Sequence, residues 1–315
     1  MSADPPHSPH APGQVPPRLL ELADMFAFCR VAFLETADRY HWTPAESSAA
    51  EQDATALPSP DPAILDRQGE TGFRLVAEVV QTYMLAASGH LGGLASMYPT
   101  GEVHFSPGLL VRAVMENCAH ALWVLGEAGD VPEDRLGRAY LEELKSAEEA
   151  QGTAKLMGGL TSSRYQKARA WHRLLRRQIQ SRFAISADEL GTGQLRGQSL
   201  PGLTDSVLWM YDLAAAAGGT IDARGAEGTY GFLSNLTHPT LYPIKQMRVW
   251  THDETAGHAV AHLQLDVAFS ENLARAALAA FYNTLTYVTS YFGWPTDVND
   301  ELTERLDEVI PGFLI

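Results

Sequence analysis

Apolar residues recur every three or four positions along most of the chain, which is the periodicity of helices with one buried face. The pattern predicts helices over residues 18–42, 62–90, 106–125, 132–151, 162–183, 205–218, 230–238 and 270–294. Gly92 and Gly93 are expected to end the second helix, and Ser106 followed by Pro107 is typical of a helix start. The fold class that follows is all-α, a helical bundle.

The period changes to two between residues 246 and 268. From His262 to Val267, in HLQLDV, polar and apolar side chains alternate, and a shorter alternating run precedes the loop HDETAG. Such alternation is typical of a strand with one buried face. At most one short β-hairpin is therefore expected in an otherwise helical domain.

Two segments lack helical periodicity. Residues 1–17 are rich in proline, without the basic start and apolar core of a secretory signal, and they are expected to form a disordered tail. Pro, Ser and Ala dominate a second segment near residues 43–62, which is expected to be a linker, although its alanines favour helix over part of it. Residues 18–315 are then a single helical domain that contains this linker.

The composition is that of a soluble globular protein, with 315 residues of which 45% are hydrophobic and 19% charged. Cys29 and Cys118 lack the spacing of a metal site and indicate neither a disulfide nor zinc. Residues 272–294 form the most apolar segment, but its Arg, Asn and Thr residues make it too polar for a bilayer span. We therefore expect a cytoplasmic protein with no membrane partner.

The formal net charge of −15 disfavours RNA as a partner, because polyanions are repelled unless positive charge is concentrated locally. One stretch does concentrate it: RYQKARAWHRLLRRQIQSR, residues 164–182, has seven Lys and Arg residues and no acidic one. Arg169, Arg173 and Arg176 form a stripe on this predicted helix. Pairing with the protein's own acidic surface, or simple solvation, is the default interpretation of this stripe; binding of RNA phosphates or of a phosphorylated substrate is the alternative.

A polar row is predicted on the helix over residues 106–125. Arg112, Glu116 and His120 follow one another at intervals of four, which places them on one side of the helix. Much of the remaining helix surface is apolar, so the pair of Arg112 and Glu116 is expected to be partly buried. Such a pair needs polar partners to offset its desolvation, and a polar row on another helix would supply them.

A second row lies in YGFLSNLTHPTLYPI, residues 230–244. Tyr230, Ser234 and His238 share a helix face if the helix runs to His238, the residue before Pro239. A serine beside a histidine permits nucleophilic catalysis, and histidine alone permits acid/base catalysis. We expect the two rows to face each other, either as a catalytic site or as a buried polar network that fixes helix register.

As an enzyme, the protein would act on a small-molecule ligand with acid/base residues in a pocket between helices. The catalytic candidates are His238, Glu116, Tyr230, Ser234 and His90, and the substrate-binding candidates are Arg112, His120 and Tyr242. No Gly-rich loop has the spacing of a dinucleotide or phosphate site, so no organic cofactor is expected. The expected assembly is a homodimer.

The histidines of the predicted hairpin were weighed as metal ligands. His252, His258 and His262 lie close together in sequence with acidic neighbours. On a strand, residues four apart are about 13 Å apart, which is too far for one ion. No metal site is expected.

The segments LLVRAVMENCAHALWVL, DRLGRAYLEELKSAEE and YGFLSNLTHPTLY resemble a group of uncharacterised helical proteins of actinobacteria. Members of that group carry an Arg-x-x-x-Glu helix and a Tyr-x-x-Leu-Ser-x-x-x-His helix. The matching positions here are Arg112 and Glu116 in the first motif and Tyr230, Ser234 and His238 in the second.

This group is in turn similar to HEPN-like domains, many of which are RNases of toxin and defence systems. The resemblance implies a HEPN-like RNase or an inactive RNA-binding derivative. HEPN nucleases place an arginine a few residues before the catalytic histidine, whereas the nearest arginine before His238 is Arg224. Three functions thus stay open: a small-molecule enzyme, which we favour, a HEPN-like protein, and a structural or partner-binding helical module.

Overall fold

The computed structural model describes residues 15–57, 72–101, 103–216, 223–238, 240–253, 257–263 and 265–313. The helices are α1 (Pro17–Tyr40), α2 (Ala49–Ala56), α3 (Phe73–Met97), α4 (Ser106–Leu125), α5 (Pro132–Gly158), α6 (Ser163–Phe183), α7 (Ala187–Gly191), α8 (Leu203–Ala216), α9 (Ala223–Thr237), α10 (Leu241–Gln246), α11 (Val267–Phe292) and α12 (Asp297–Val309). The predicted all-α fold is confirmed. Residues 1–14 of the expected tail lie outside the described residues, and α1 begins at Pro17.

Strands are a minor part of the described chain. β3 (Arg248–Asp253) and β4 (His258–Leu263) pair antiparallel, with Arg248 opposite Leu263, which confirms the expected hairpin. β4 contains only the first two residues of the alternating run HLQLDV, since it ends at Leu263 and α11 begins at Val267. All residues of β4 except Val260 are exposed, so the hairpin has no buried face on this strand. β1 (Gln194–Leu195) and β2 (Gln198–Ser199) form a second, two-residue pair within a loop that the sequence did not predict to contain strands.

The core is built around α4. This helix packs against α3, α11 and α8, with further contacts to α9 and α5, and most of its apolar residues from Val111 to Leu125 are almost fully buried. Among the described helices, α4 alone is long and apolar enough to cross a membrane by length and composition, but 61% of the apolar window is buried inside the bundle. This is the burial expected of the core helix of a soluble protein.

The expectation that Gly92 and Gly93 end the second helix was wrong, because α3 continues to Met97. The two glycines serve close packing instead of a helix stop. A Cβ atom on Gly93 would lie 3.1 Å from Leu110 Cδ1, so its absence lets α4 approach α3. Residues 62–71, where the sequence predicted the start of this helix, lie outside the described residues.

The segment expected to be a linker contributes to the core. Its residues 49–56 form α2, which Ser48 caps by accepting a hydrogen bond from the Glu51 backbone amide. Asp53 on α2 is buried and receives hydrogen bonds from Arg135 on α5, at 3.2 Å, and from Tyr291 on α11, at 2.6 Å. A charged group therefore fastens this short helix to two longer ones.

Candidate functional site

A row of four partly exposed side chains follows one face of α4. Arg112, Glu116, His120 and Trp123 are spaced by four, four and three residues, and each is intermediate between buried and exposed. Eleven residues of helix span about 16 Å. The opposite face of α4 is the apolar core, so this row is the side of the helix that water and ligands can reach.

The first part of the row is a closed hydrogen-bonded network with α9. Arg112 Nε lies 2.6 Å from Glu116 Oε1, and Tyr230 donates its hydroxyl proton to the same carboxylate oxygen at 2.7 Å. Arg112 also donates to the Tyr230 hydroxyl at 3.2 Å and to the Thr237 hydroxyl, and its guanidinium lies over the Tyr230 ring. The sequence expectation that the rows of α4 and α9 face each other is confirmed for these residues.

The network keeps the Tyr230 hydroxyl protonated at neutral pH. Burial of the ring and the hydrogen bond to Glu116 together raise the pKa of Tyr230 to about 12, because both disfavour the phenolate. For Arg112, burial acts to lower the pKa, but the hydrogen bonds to Glu116 and Tyr230 and the negative charge of Glu116 together outweigh it, so the pKa is raised. Tyr230 is therefore a proton donor and Arg112 a permanent cation.

His238 and Ser234 lie outside this set of contacts. α9 ends at Thr237, and His238 follows in a turn with an exposed side chain, so the proposed column of Tyr230, Ser234 and His238 does not continue to the histidine. Thr237, seven residues or about two turns after Tyr230, takes the place beside Arg112 instead. Ser234 is half-buried, and its backbone oxygen accepts a hydrogen bond from Thr237.

The middle of the row is a histidine–carboxylate pair. His120 Nδ1 lies 2.6 Å from Glu142 Oε1 on α5, and Tyr83 on α3 donates to the other Glu142 oxygen at 2.5 Å. The Tyr83 and His120 rings also stack, with centroids 5.3 Å apart. Glu142 is buried, and its two oxygens hold the imidazole and the phenol in fixed positions.

The sequence analysis missed Glu142 and Tyr83. Three charged residues of α5, Arg135, Arg138 and Glu142, are buried. Their spacing of three and four was a signal that could have been used, because it puts three charged residues on one side of a helix. A single sequence does not show whether such a side faces water or other helices.

His90 lies level with the Arg112 end of the row. The contact of Tyr83 with His120 and that of Gly93 with Leu110 fix the pairing of α3 with α4, which run antiparallel. Seven residues after Tyr83, His90 shares its helix face and comes opposite residues near 113. Its side chain is partly exposed.

Other candidates lie elsewhere on the protein. Tyr242 is 54% exposed on α10 and contacts Phe232 edge to face, with centroids 6.5 Å apart. In the hairpin, His252, His258 and His262 are exposed, and within the described residues no group of three His, Cys, Asp or Glu is arranged to hold a metal ion.

The basic segment forms α6, and five of its seven Lys and Arg residues are exposed, namely Arg164, Lys167, Arg173, Arg177 and Arg182. Within the described ranges, none of the seven forms an ion pair with an Asp or Glu side chain. The predicted alternative of internal pairing therefore finds no partner in this part of the chain.

No protein-family model matches the chain, and searches of curated proteins and of solved structures likewise found no match. The functional argument therefore rests on the geometry of the α4 row.

Proposed function

We propose that the protein is a small-molecule enzyme that uses the α4 row for acid/base catalysis without an organic cofactor. The observation that carries the proposal is the contact of His120 Nδ1 with the buried carboxylate of Glu142, at 2.6 Å. A histidine oriented by a carboxylate is the arrangement that prepares an imidazole to accept and return a proton. When Nδ1 carries the proton donated to Glu142, Nε2 is left as the accepting atom.

Neighbouring groups on α4 and α9 supply the other parts of an acid/base site. Tyr230 is a protonated phenol, and Arg112 is a fixed cation that can hold an anionic or polar group of a substrate. Glu116 positions both, since it accepts hydrogen bonds from each of them. His90 lies at the same level on α3 and is a further proton-transfer candidate. In this proposal the enzyme works in the cytoplasm, and His238 is not required.

The test is a search for turnover that depends on His120. Wild type, His120→Gln and the exposed control His258→Gln are each incubated with a small-metabolite extract, and consumption of compounds is followed by mass spectrometry. We expect at least one compound to be converted by wild type and control, with a rate roughly 10²- to 10⁴-fold lower for His120→Gln. Circular dichroism checks that all three are folded. Conversion that is equal in all three, or absent in wild type, contradicts the proposal.

A second candidate, an RNA-binding protein of the HEPN-like kind, is favoured by the exposed basic residues of α6, which form no ion pair with an acidic side chain in the part of the chain that the structure describes. Phosphate contacts would make binding weaken steeply as salt rises, by orders of magnitude between about 50 and 200 mM. The measurement is RNA binding by fluorescence anisotropy for wild type, for Arg173→Glu with Arg177→Glu, and for Lys145→Glu on α5 as control. Binding that is absent at low salt, or unchanged by the double substitution, removes this candidate.

A further inference from the structure

The α4 row ends at Trp123, in the wall of a pocket that the sequence analysis did not assign. The pocket has a volume of about 390 Å³, within the range of small-molecule sites. Trp123 from α4 and Trp209 from α8 supply its aromatic surface, and the β2 strand and the loop before α8 supply Ser199 and Pro201. Gln198 of β2 and four charged residues, Glu127, Asp130, Asp205 and Arg138, complete the lining.

Arg138, in the lining of this pocket, has a hydrogen-bond donor for which the described chain supplies no acceptor. Its side chain is only 6% exposed and donates to Asp130, yet its Nε atom is buried without a hydrogen-bond partner. A buried, unpartnered N–H is costly in a folded protein, so it marks a place where a further acceptor belongs. Gly126 makes room for this arrangement: a Cβ atom there would lie within 2.4 Å of both Asp130 Oδ2 and the terminal nitrogens of Arg138.

The charge of the pocket is negative. Arg138 pairs with Asp130: burial disfavours the Asp130 carboxylate, but the hydrogen bond and positive charge of Arg138, together with the hydrogen bond from the Glu127 backbone amide, outweigh burial and lower the pKa of Asp130. Glu127 and Asp205 are then left as exposed carboxylates. The nearby guanidinium of Arg135, which donates to the Glu127 carbonyl, is already paired with Asp53. Two carboxylates thus remain without a neutralising partner in the lining.

We propose that the pocket binds an organic cation, a primary or quaternary ammonium compound with an apolar or aromatic body and a neutral oxygen acceptor. Tryptophan faces attract ammonium groups through cation–π interaction, and Glu127 and Asp205 add Coulomb attraction. The neutral oxygen of the ligand accepts a hydrogen bond from Arg138 Nε, which has no acceptor in the described chain. A metal ion fits less well, since no group of three carboxylates within the described residues is arranged to hold one. The proposal concerns binding alone and does not depend on catalysis by His120.

The experiment compares three ligands that share a phenylpropanoyl body and differ in charge, by isothermal titration calorimetry in phosphate buffer at about pH 6, where an α-ammonium stays protonated. This buffer contains no competing amine. The probes are phenylalaninamide, which is a cation, N-acetylphenylalaninamide, which is neutral, and 3-phenylpropanoate, which is an anion. We expect the cation to bind about tenfold more tightly than the neutral amide and the anion not to bind. Equal affinity for cation and neutral amide, preference for the anion, or no binding by any probe overturns the proposal.

Two pairs of variants test whether the cation binds in this pocket. Asp205→Asn is expected to weaken binding of phenylalaninamide about five- to tenfold, whereas Asp212→Asn, an equally exposed change on α8 outside the pocket lining, leaves it unchanged. Trp209→Leu is expected to remove most of the binding, with Trp250→Leu on the hairpin as its control. If Trp209→Leu fails to fold, the Asp205 pair decides alone. Binding that Asp205→Asn leaves unchanged overturns the proposed site even if the cation binds elsewhere.

Discussion

Glu116 is the residue on which the network between α4 and α9 depends. It accepts hydrogen bonds from Arg112 and Tyr230, so Glu116→Ala leaves a guanidinium and a phenol without their acceptor. Arg112 and Glu116 are partly exposed, with 16% and 22% of their side chains accessible, so water can replace part of the hydrogen bonding that is lost. We expect a loss of about 1–3 kcal/mol in the free energy of unfolding, measured by urea denaturation.

The matched control for this change is Glu116→Gln, which keeps an oxygen acceptor for Tyr230 while removing the charge. Its loss should be smaller than that of Glu116→Ala. If both variants are as stable as wild type, the network contributes nothing to the stability of the fold, and its geometry would have to serve another purpose, such as catalysis.

Spacing along single helices explains which site residues could be predicted from sequence. Arg112, Glu116 and Tyr230 were found because an interval of four identifies a shared face. His238 was placed wrongly in the row, because the residue before a proline leaves the helix and α9 ends one residue earlier, at Thr237. Glu142 was missed because the neighbour that buries it comes from a different helix, and no spacing within one helix reports that.

At the scale of elements, α2 is the part of the fold that the amino-acid composition did not predict. Pro, Ser and Ala around it are typical of a linker, whereas one side chain, Asp53, attaches it to α5 and α11. Burial raises the pKa of Asp53, in spite of the hydrogen bonds from Tyr291 and Arg135 that act in the opposite direction. The long, strongly periodic helices were predictable because their pattern repeats over many turns, and a helix of eight residues offers no such repetition.

We expect Asp53→Ala to lower the free energy of unfolding by about 3–5 kcal/mol, because it leaves the buried guanidinium of Arg135 without its counter-ion. Gln52→Ala, an exposed change in the same helix, serves as control and should cost less than about 0.5 kcal/mol. Both are measured by urea denaturation. A loss for Asp53→Ala that matches the control would mean that α2 does not depend on this ion pair.

At the scale of the whole molecule, Arg18 links the first described helix, α1, to the last two, α11 and α12. From α1 it donates to Glu271 on α11 at 2.7 Å and to the backbone oxygen of Val309, the last residue of α12, at 2.8 Å. Arg275 also donates to Glu271, at 2.9 Å. Contacts between residues more than 250 positions apart cannot be read from periodicity, which predicts helices but not how they are arranged. The expected homodimer stays a prediction, which light scattering of the purified protein would check.

The same contacts predict how stability depends on pH. The hydrogen bond from Arg18 is the main cause that lowers the pKa of Glu271 to about 2, from 4.5 in an unperturbed side chain, and Arg275 acts in the same direction. Because the folded protein holds this carboxylate ionised more strongly than the unfolded chain does, its contribution is fully present above about pH 4.5 and is lost as the pH falls towards 2. Glu271→Gln should therefore be less stable than wild type near neutral pH and should lose less stability between those two pH values.

Urea denaturation across this range checks the prediction, with the exposed Glu301→Gln as control, which should keep the wild-type pH dependence. Parallel curves for wild type and Glu271→Gln would show that the ion pair between α1 and α11 contributes nothing to the stability of the fold.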